Sequence, residues 1–251
     1  MRVIAGTYRS RLLSAPSGTE TRPTSDRLRE TLFNIIGPRL RGCQFADLYA
    51  GTGAVGIEAI SRGAEHVFFA ENSPATLKVL RANLSKLGIH GGYAIEDRGT
   101  ARLLERLTKS VEPLDLVYLD PPYEAEKEYT STLAFFASAA GRKLLAPDAQ
   151  VIVEHATRAK FALPQQQGTL TLNRTLRQGD STLSFYQVSA EPKISETASQ
   201  RPMAVCRDAT EAATVMPSRT RITPRDQSAL TSNQRAPSIL MAAKASTADK
   251  P

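Results

Sequence analysis

Four consecutive residues, Asp120-Pro121-Pro122-Tyr123, bring together a carboxylate, two rigid imino acids and an aromatic ring. An ionised carboxylate only accepts hydrogen bonds, a proline still offers its carbonyl, and the ring adds a flat apolar face. That set suits an exocyclic amine on a planar nucleobase. The acceptors hold the amine, and the ring stacks on the base. The stretch follows Leu114–Leu119 (LDLVYL), an apolar run of strand length. It therefore lies just past a strand's carboxyl end, where open α/β sheets bind their ligands. A strand followed by a proline turn is the plain alternative.

A second constellation lies upstream. Asp47-Leu48-Tyr49-Ala50-Gly51-Thr52-Gly53-Ala54-Val55-Gly56 contains G-x-G-x-x-G, and Glu71 stands twenty residues past Gly51. Glycine lets the backbone approach a ligand, and an acid at the end of the second strand can accept from ribose hydroxyls. The pattern alone fits a dinucleotide. Charge separates the candidates, because a pyrophosphate is disfavoured by a carboxylate four residues before the first glycine. S-adenosylmethionine carries a sulfonium, an ammonium and no phosphate, so it accommodates Asp47. The expected cofactor residues are Asp47, Ala50, Gly51, Gly53, Glu71 and Asp97. Asp97 closes the third strand and can accept from an adenine amino group. The structural alternatives are a turn cap for Asp47 and a helix cap for Asp97.

Positioning these residues requires a regular succession of elements. Residues 45–49, 67–70, 93–95, 114–119 and 151–154 read as strands. Residues 54–62, 74–87, 101–108 and 126–140 read as the helices between them. The alternation predicts an α/β fold with a mostly parallel sheet and helices on both faces. Residues 169–176 and 182–188 are β-rich, and Gln178-Gly179-Asp180 joins them, so they predict a terminal antiparallel pair. Before the sheet, residues 24–36 have helical spacing of Leu28, Leu32, Ile35 and Ile36, with Thr24 or Ser25 as cap. Residues 2–5 and 9–13 read as a small basic hairpin turning near Gly6. The expected domains are a basic arm over 1–23, a catalytic domain over 24–189 and a disordered tail over 190–251, where composition shifts to Ser, Thr, Ala, Pro, Gln and Arg.

Charge is unevenly placed. Residues 1–41 hold eight Arg against three acidic residues, residues 42–189 hold 15 basic against 16 acidic, and residues 190–251 hold nine against six. A basic segment ahead of a near-neutral body suggests a polyanion partner, most simply nucleic acid. The expected RNA-contacting residues are Arg9, Arg11, Arg22 and Arg27, with an internal pair to Asp26 or Glu30 the alternative for Arg27 and Arg29. Arg9 and Arg11 alternate on the expected strand and so are expected on one face. Cys43 and Cys206 give neither a disulfide framework nor zinc spacing, and the three histidines form no ligand pair, so no metal is expected. No apolar run reaches the roughly 20 residues that cross a bilayer, and the N-terminus lacks a signal segment, so the expected location is cytoplasmic.

Taken together, these residues resemble the class I methyltransferases, whose fold is Rossmann-like. More narrowly, residues 1–188 resemble the bacterial small-subunit ribosomal RNA guanine-N2 methyltransferases of the RsmD type. The resemblance lies in Ile4-Ala5-Gly6 with Arg9 and Arg11; in Arg22-Pro23-Thr24 through Arg27, Arg29, Glu30 and Phe33-Asn34; in the Asp47 to Gly53 loop; in Asp120-Pro121-Pro122-Tyr123; and in Gln178-Gly179-Asp180-Ser181 with Leu183-Ser184-Phe185-Tyr186. It implies methylation of a guanine N2 in 16S ribosomal RNA, with S-adenosylmethionine as cofactor and ribosomal RNA, free or within a partly assembled small subunit, as partner. Asp120 and the Pro121 carbonyl are then acceptors for the amine, and Tyr123 stacks on the extruded base. An acceptor-only Asp120 matches the adjacent N1–H and N2–H donors of guanine. The alternatives are an adenine-N6 methyltransferase, a non-catalytic RNA-binding assembly factor and a dehydrogenase.

Overall fold

The computed structural model describes residues 1–15, 25–109 and 112–189. Arg22, Pro23 and Thr24, Cys206 and the whole of 190–251 lie outside the described residues, as do the expectations attached to them. Helix α1 (Asp26–Ile36) starts at Ser25, whose Oγ accepts from the Leu28 N–H at 3.1 Å. Its buried face is Leu28, Leu32, Phe33 and Ile36, while Ile35 is only half-buried. Then come β1 (Gln44–Asp47), α2 (Ala54–Ser61), β2 (His66–Ala70), α3 (Pro74–Lys86), β3 (Tyr93–Glu96), α4 (Thr100–Leu107), β4 (Leu114–Leu119), α5 (Glu126–Ala137), α6 (Ala139–Arg142), β5 (Leu145–Ala156), β6 (Gln166–Gln167), β7 (Leu170–Gln178) and β8 (Ser181–Val188).

One sheet takes all the strands in the order β3-β2-β1-β4-β5-β8-β7-β6. The pairs from β3 to β5 are parallel, whereas β5–β8, β8–β7 and β7–β6 are antiparallel. The chain moves outward from β1 to β3, then crosses back to place β4 on the other side of β1. The order therefore reverses between β1 and β4, where such sheets open a crevice beyond the strands' carboxyl ends. Alternate residues of the central strands serve opposite layers. Phe45, Phe69, Leu116 and Tyr118 pack with α1, α2 and α3 residues such as Phe33, Ile57 and Leu80. Ala46, Val117, Leu119 and Val153 pack with Leu103 of α4 and Leu133 and Phe136 of α5.

The expected succession holds, with three differences. The helix expected over 126–140 breaks at Ser138, whose ψ of 162° is extended and whose Oγ caps α6 by accepting from the Gly141 N–H at 3.2 Å. The strand expected over 151–154 runs Leu145–Ala156, because both of its edges are paired and the ladder carries even its polar residues. The short strand β6 had no apolar alternation to announce it.

The arm at 1–15 is a compact turn rather than two strands. Arg2 and Leu12 form an isolated antiparallel bridge, and residues 7–10 turn between them with Ser10 at φ 66°. Arg9 therefore lies in the turn, and Arg9 and Arg11 do not share a strand face. Val3 and Leu13 bury themselves in the layer that α1 and α2 also fill. No described helix is long and apolar enough to cross a membrane.

Candidate active site

The glycine loop and the proline stretch meet because β1 and β4 are neighbours. Asp47 pairs in register with Tyr118, and the Leu48 N–H donates to the Tyr118 carbonyl at 3.0 Å. Asp47 therefore ends one strand beside the strand that delivers Asp120. The loop bends through Gly51 at φ 54° and Gly53 at φ 83°, both left-handed, and α2 begins at once.

The glycines have distinct tasks. A Cβ on Gly51 would meet nothing within 4 Å, so this glycine borders open space. On Gly53 it would come to 2.3 Å of Leu80 Cδ1, and on Gly56 to 2.2 Å of Phe69 Cε1. Gly53 and Gly56 thus let α2 settle on α3 and β2. Gly51 alone of the three leaves its Cβ side open.

Asp47 is 1% exposed, and its Oδ2 accepts from the Gly56 N–H at 2.9 Å. It supplies the cap that Gly53, without a side chain, cannot give α2. Burial pushes its carboxyl up to about 7, with the Gly56 hydrogen bond opposing and Glu71 reinforcing the shift. A carboxylate so placed gains from a nearby cation. Glu71 closes the loop from β2. Its Oε2 accepts from the Gly51 N–H at 3.0 Å, and its Oε1 from the Asn72 and Ser73 N–H groups at 2.9 and 2.8 Å. Ala50 is anchored by its N–H to the Ala70 carbonyl at 2.9 Å. Asp97 follows β3 on the same edge, exposed, 3.5 Å from the Arg81 guanidinium.

On the β4 side, Asp120 is half-buried, Pro121 buried, Pro122 exposed and Tyr123 half-buried. Tyr129 and the buried acid Glu154 hold this stretch from beneath. The Tyr129 hydroxyl donates to the Pro121 carbonyl at 3.0 Å, which occupies one of that carbonyl's two acceptor sites. The Tyr123 hydroxyl lies 2.8 Å from Ser181 Oγ and 3.3 Å from Glu154 Oε1, and the Tyr118 hydroxyl donates to Glu154 Oε2. Burial pushes Tyr123 up to about 12 and raises Tyr129 further. Sequence reasoning gave no role to Tyr129 or Glu154 and named Ser181 only within the late Gln178–Ser181 motif. Tyr129 reads as an ordinary helix residue. It is the pairing of β5 with both β4 and β8 that brings Glu154 and Ser181 to Tyr123.

The arm is tied to the same site. Buried Glu58 of α2 accepts from the Ile4 and Ala5 N–H groups at 2.7 and 2.9 Å. Buried Asn83 of α3 accepts from the Ser14 N–H at 2.7 Å and donates to the Ser14 and Thr52 carbonyls at 3.1 and 3.0 Å. One amide thus joins the arm to the glycine loop. Buried Arg29 pairs with Asp26 at 2.8 Å and donates to the Arg2 carbonyl at 2.7 Å, so it is an internal tie. Arg11 reaches the Lys86 carbonyl at 3.3 Å. Arg9 and Arg27 are exposed and, with Arg2, Asp26 and Glu30, line a cavity of about 450 Å³ between the arm and α1. Among the described residues no group of three or more His, Cys, Asp or Glu could hold a metal ion.

Comparisons agree with this geometry. "Putative rRNA methyltransferase YlbH" of Bacillus subtilis (strain 168) is 33% identical over 187 residues, 74% of this chain and 98% of that one. "Ribosomal RNA small subunit methyltransferase D" of Escherichia coli (strain K12) is 36% identical over 123 residues, 49% of this chain and 60% of that protein. Among solved structures, "Putative methyltransferase yhhF from Escherichia coli" superposes with a TM-score of 0.62 at 32% identity, covering 76% of this chain and 99% of that one. The fold is thus Rossmann-like and shared with methyltransferases. A family model described as "Conserved hypothetical protein 95" matches residues 1–187, and the chain belongs to that family.

Proposed function

We propose that the protein methylates the exocyclic N2 of a guanine in small-subunit ribosomal RNA, with S-adenosylmethionine as methyl donor. The observation that carries the reading is the adjacency of β1 and β4 at the reversal of the strand order. There a buried acid and an open-faced glycine loop stand beside a carboxylate, two prolines and an anchored tyrosine. The names of the two rRNA methyltransferase relatives support the substrate class.

The residues present fit the cofactor. Gly51 leaves open space beside the loop, and buried Asp47 gains from a positive charge. Both Glu71 oxygens already hold backbone donors, so the loop is shaped in advance; Oε1 accepts two and Oε2 one, and Oε2 keeps capacity for a ribose hydroxyl. Asp97 stands at the same edge to receive an adenine amino group. When bound, S-adenosylmethionine supplies an electrophilic methyl group on a sulfonium.

The chain's own task is orientation. The lone pair of a guanine N2 is delocalised into the ring and attacks poorly. Asp120 accepts one N–H, and the remaining acceptor site of the Pro121 carbonyl takes the other, which holds the nitrogen pyramidal. Tyr123 offers its ring to the extruded base. The amine needs no strong base beforehand, because its proton becomes acidic once the nitrogen is alkylated. Asp120 then receives it.

The test is direct. The full chain is incubated with methyl-labelled cofactor and either free small-subunit rRNA or partly assembled small subunits, and the RNA is digested to nucleosides. N2-methylguanosine is expected, and the two substrates show whether free RNA or the particle is the form acted on. N6-methyladenosine would move the reading to the adenine enzymes, and cofactor binding without any product would leave an assembly factor.

A further inference from the structure

We infer that Glu154 is a positioning residue for the proposed methyl transfer, fixing the Tyr123 ring through its hydroxyl. The inference rests on the reading of Asp120-Pro121-Pro122-Tyr123 as the catalytic stretch. Glu154 is 2% exposed and sits near the carboxyl end of β5, opposite Leu183 of β8. Its Oε2 receives the Tyr118 hydroxyl and its Oε1 the Tyr123 hydroxyl at 3.3 Å. A carboxylate can only accept, so Tyr123 donates to it, and the Ser181 hydroxyl at 2.8 Å then donates to the phenolic oxygen. The phenol is thus held as donor by β5 and as acceptor by β8. Its raised value, about 12, keeps it protonated and donating at neutral pH. Anchoring the phenolic oxygen fixes χ1. That oxygen lies on the χ2 axis, so the ring face is set by the preference of a phenol's hydrogen bonds for the ring plane, here drawn by Glu154 on one side and Ser181 on the other. The ring face is therefore set before a base arrives.

A purely structural role accounts poorly for a carboxylate in this place. Burying an acid between two packed strands costs more than burying an aliphatic side chain, unless its hydrogen bonds order something. What Glu154 orders on the side facing the crevice is Tyr123. Tyr118, its other phenol, points the network back into the core, where it packs beneath β1 and β5.

The experiment compares Glu154→Ala, Glu154→Gln, Tyr123→Phe, Tyr118→Phe and the Glu154→Ala/Tyr123→Phe pair in the full chain. Single-turnover methyl transfer to small-subunit rRNA at saturating S-adenosylmethionine is read beside cofactor affinity and thermal stability. Glu154→Ala and Tyr123→Phe should each slow transfer by about tenfold to a hundredfold with cofactor affinity unchanged. The pair should be no slower than Glu154→Ala alone. Glu154→Gln keeps an acceptor and should restore most of the rate, and Tyr118→Phe should stay within about twofold of the parent. The inference is overturned if Tyr118→Phe is as slow as Tyr123→Phe, if the two losses multiply in the pair, or if Glu154→Ala lowers stability alone. Should Glu154→Ala fail to fold, Tyr123→Phe against Tyr118→Phe decides the matter. A parent protein that methylates no base would remove the functional reading and this inference with it. An active parent whose rate ignores Tyr123→Phe would sink only the inference.

Discussion

Asp47 is the residue where stability and ligand binding meet. Its carboxyl lies near 7 in the folded protein against an ordinary 3.8, with burial the main cause. Between those values the folded state holds a proton that the unfolded chain has released. Folding takes up a proton there, so this group's contribution is fully present at low pH and fades as pH rises from about 4 to about 7. The loss is on the order of 4 kcal/mol at most, at 1.36 kcal/mol per unit. Asp47→Asn keeps an acceptor for the Gly56 N–H and removes the titration. The variant should therefore show a flatter dependence of Tm on pH between 5 and 8 and a higher cofactor-free Tm at pH 8. A cation settling beside Asp47 should expel its proton, so cofactor binding near pH 7 should release protons in the parent and none in Asp47→Asn. Titration calorimetry in two buffers of different ionisation enthalpy reads this, and heats independent of buffer in the parent would sever the link. Asp120 is the opposite case, since the proposed mechanism sets it against the amine and not the cofactor. Asp120→Ala should abolish product while leaving cofactor affinity nearly intact, and methylation at the parent rate would refute its role.

At the scale of elements, the strand–helix alternation was legible because each apolar period is local. The adjacency of Asp47 and Asp120 was not, because it depends on the strand order, which reverses between β1 and β4 and is set by pairing of distant segments. What the sequence did not show are the ties between distant segments. Asn83 occupies a helix position that reads as solvent-facing, yet it is buried and bonded to residues 69 and 31 positions away. Glu58 likewise reads as a surface acid and instead receives the arm's backbone. The arm and the glycine loop are therefore expected to respond together to a change at Asn83. Asn83→Ala should orphan the Ser14 and Thr52 groups, at roughly 1–3 kcal/mol for each one left buried. Hydrogen exchange at the Ser14 amide and cofactor affinity should worsen together, whereas intact affinity with a loosened arm would restore independence. The loop glycines separate in the same way. Gly53→Val should lower stability by at least about 1–3 kcal/mol, because its side chain runs into Leu80. Gly51→Val should cost only the roughly 1–2 kcal/mol of left-handed strain and should block cofactor binding in a folded protein. Calorimetry and denaturant titration on both variants distinguish packing from ligand approach.

At the scale of the whole molecule, the charge distribution places the field where the crevice cannot. Residues 42–189 are nearly balanced, so the basic excess of residues 1–41 acts locally. Within that excess the arginines differ in what they are free to do. Arg29 is spent inside the fold, Arg39 pairs with Asp148 at 3.0 Å, and Arg11 lies against the C-terminal carbonyls of α3. Arg9 and Arg27 are exposed beside a cavity lined by arm and α1 residues, and the arm is fastened to the glycine loop by Asn83. Arginine's planar fork favours phosphate, so these two are the better candidates for gripping an RNA backbone. Arg9→Ala with Arg27→Ala should weaken rRNA binding and flatten its dependence on log salt by roughly 0.7–0.9 for each phosphate left without its arginine. Arg11→Ala should change the slope less, since its guanidinium already has a partner. Cofactor affinity measured without RNA should not move in either variant, because neither touches Asn83 or the loop. An unchanged slope in the double variant would remove the arm from RNA recognition. The electrostatic grip would then have to come from the basic excess of residues 190–251, and a chain ending at Ser189 would show the fall in slope instead.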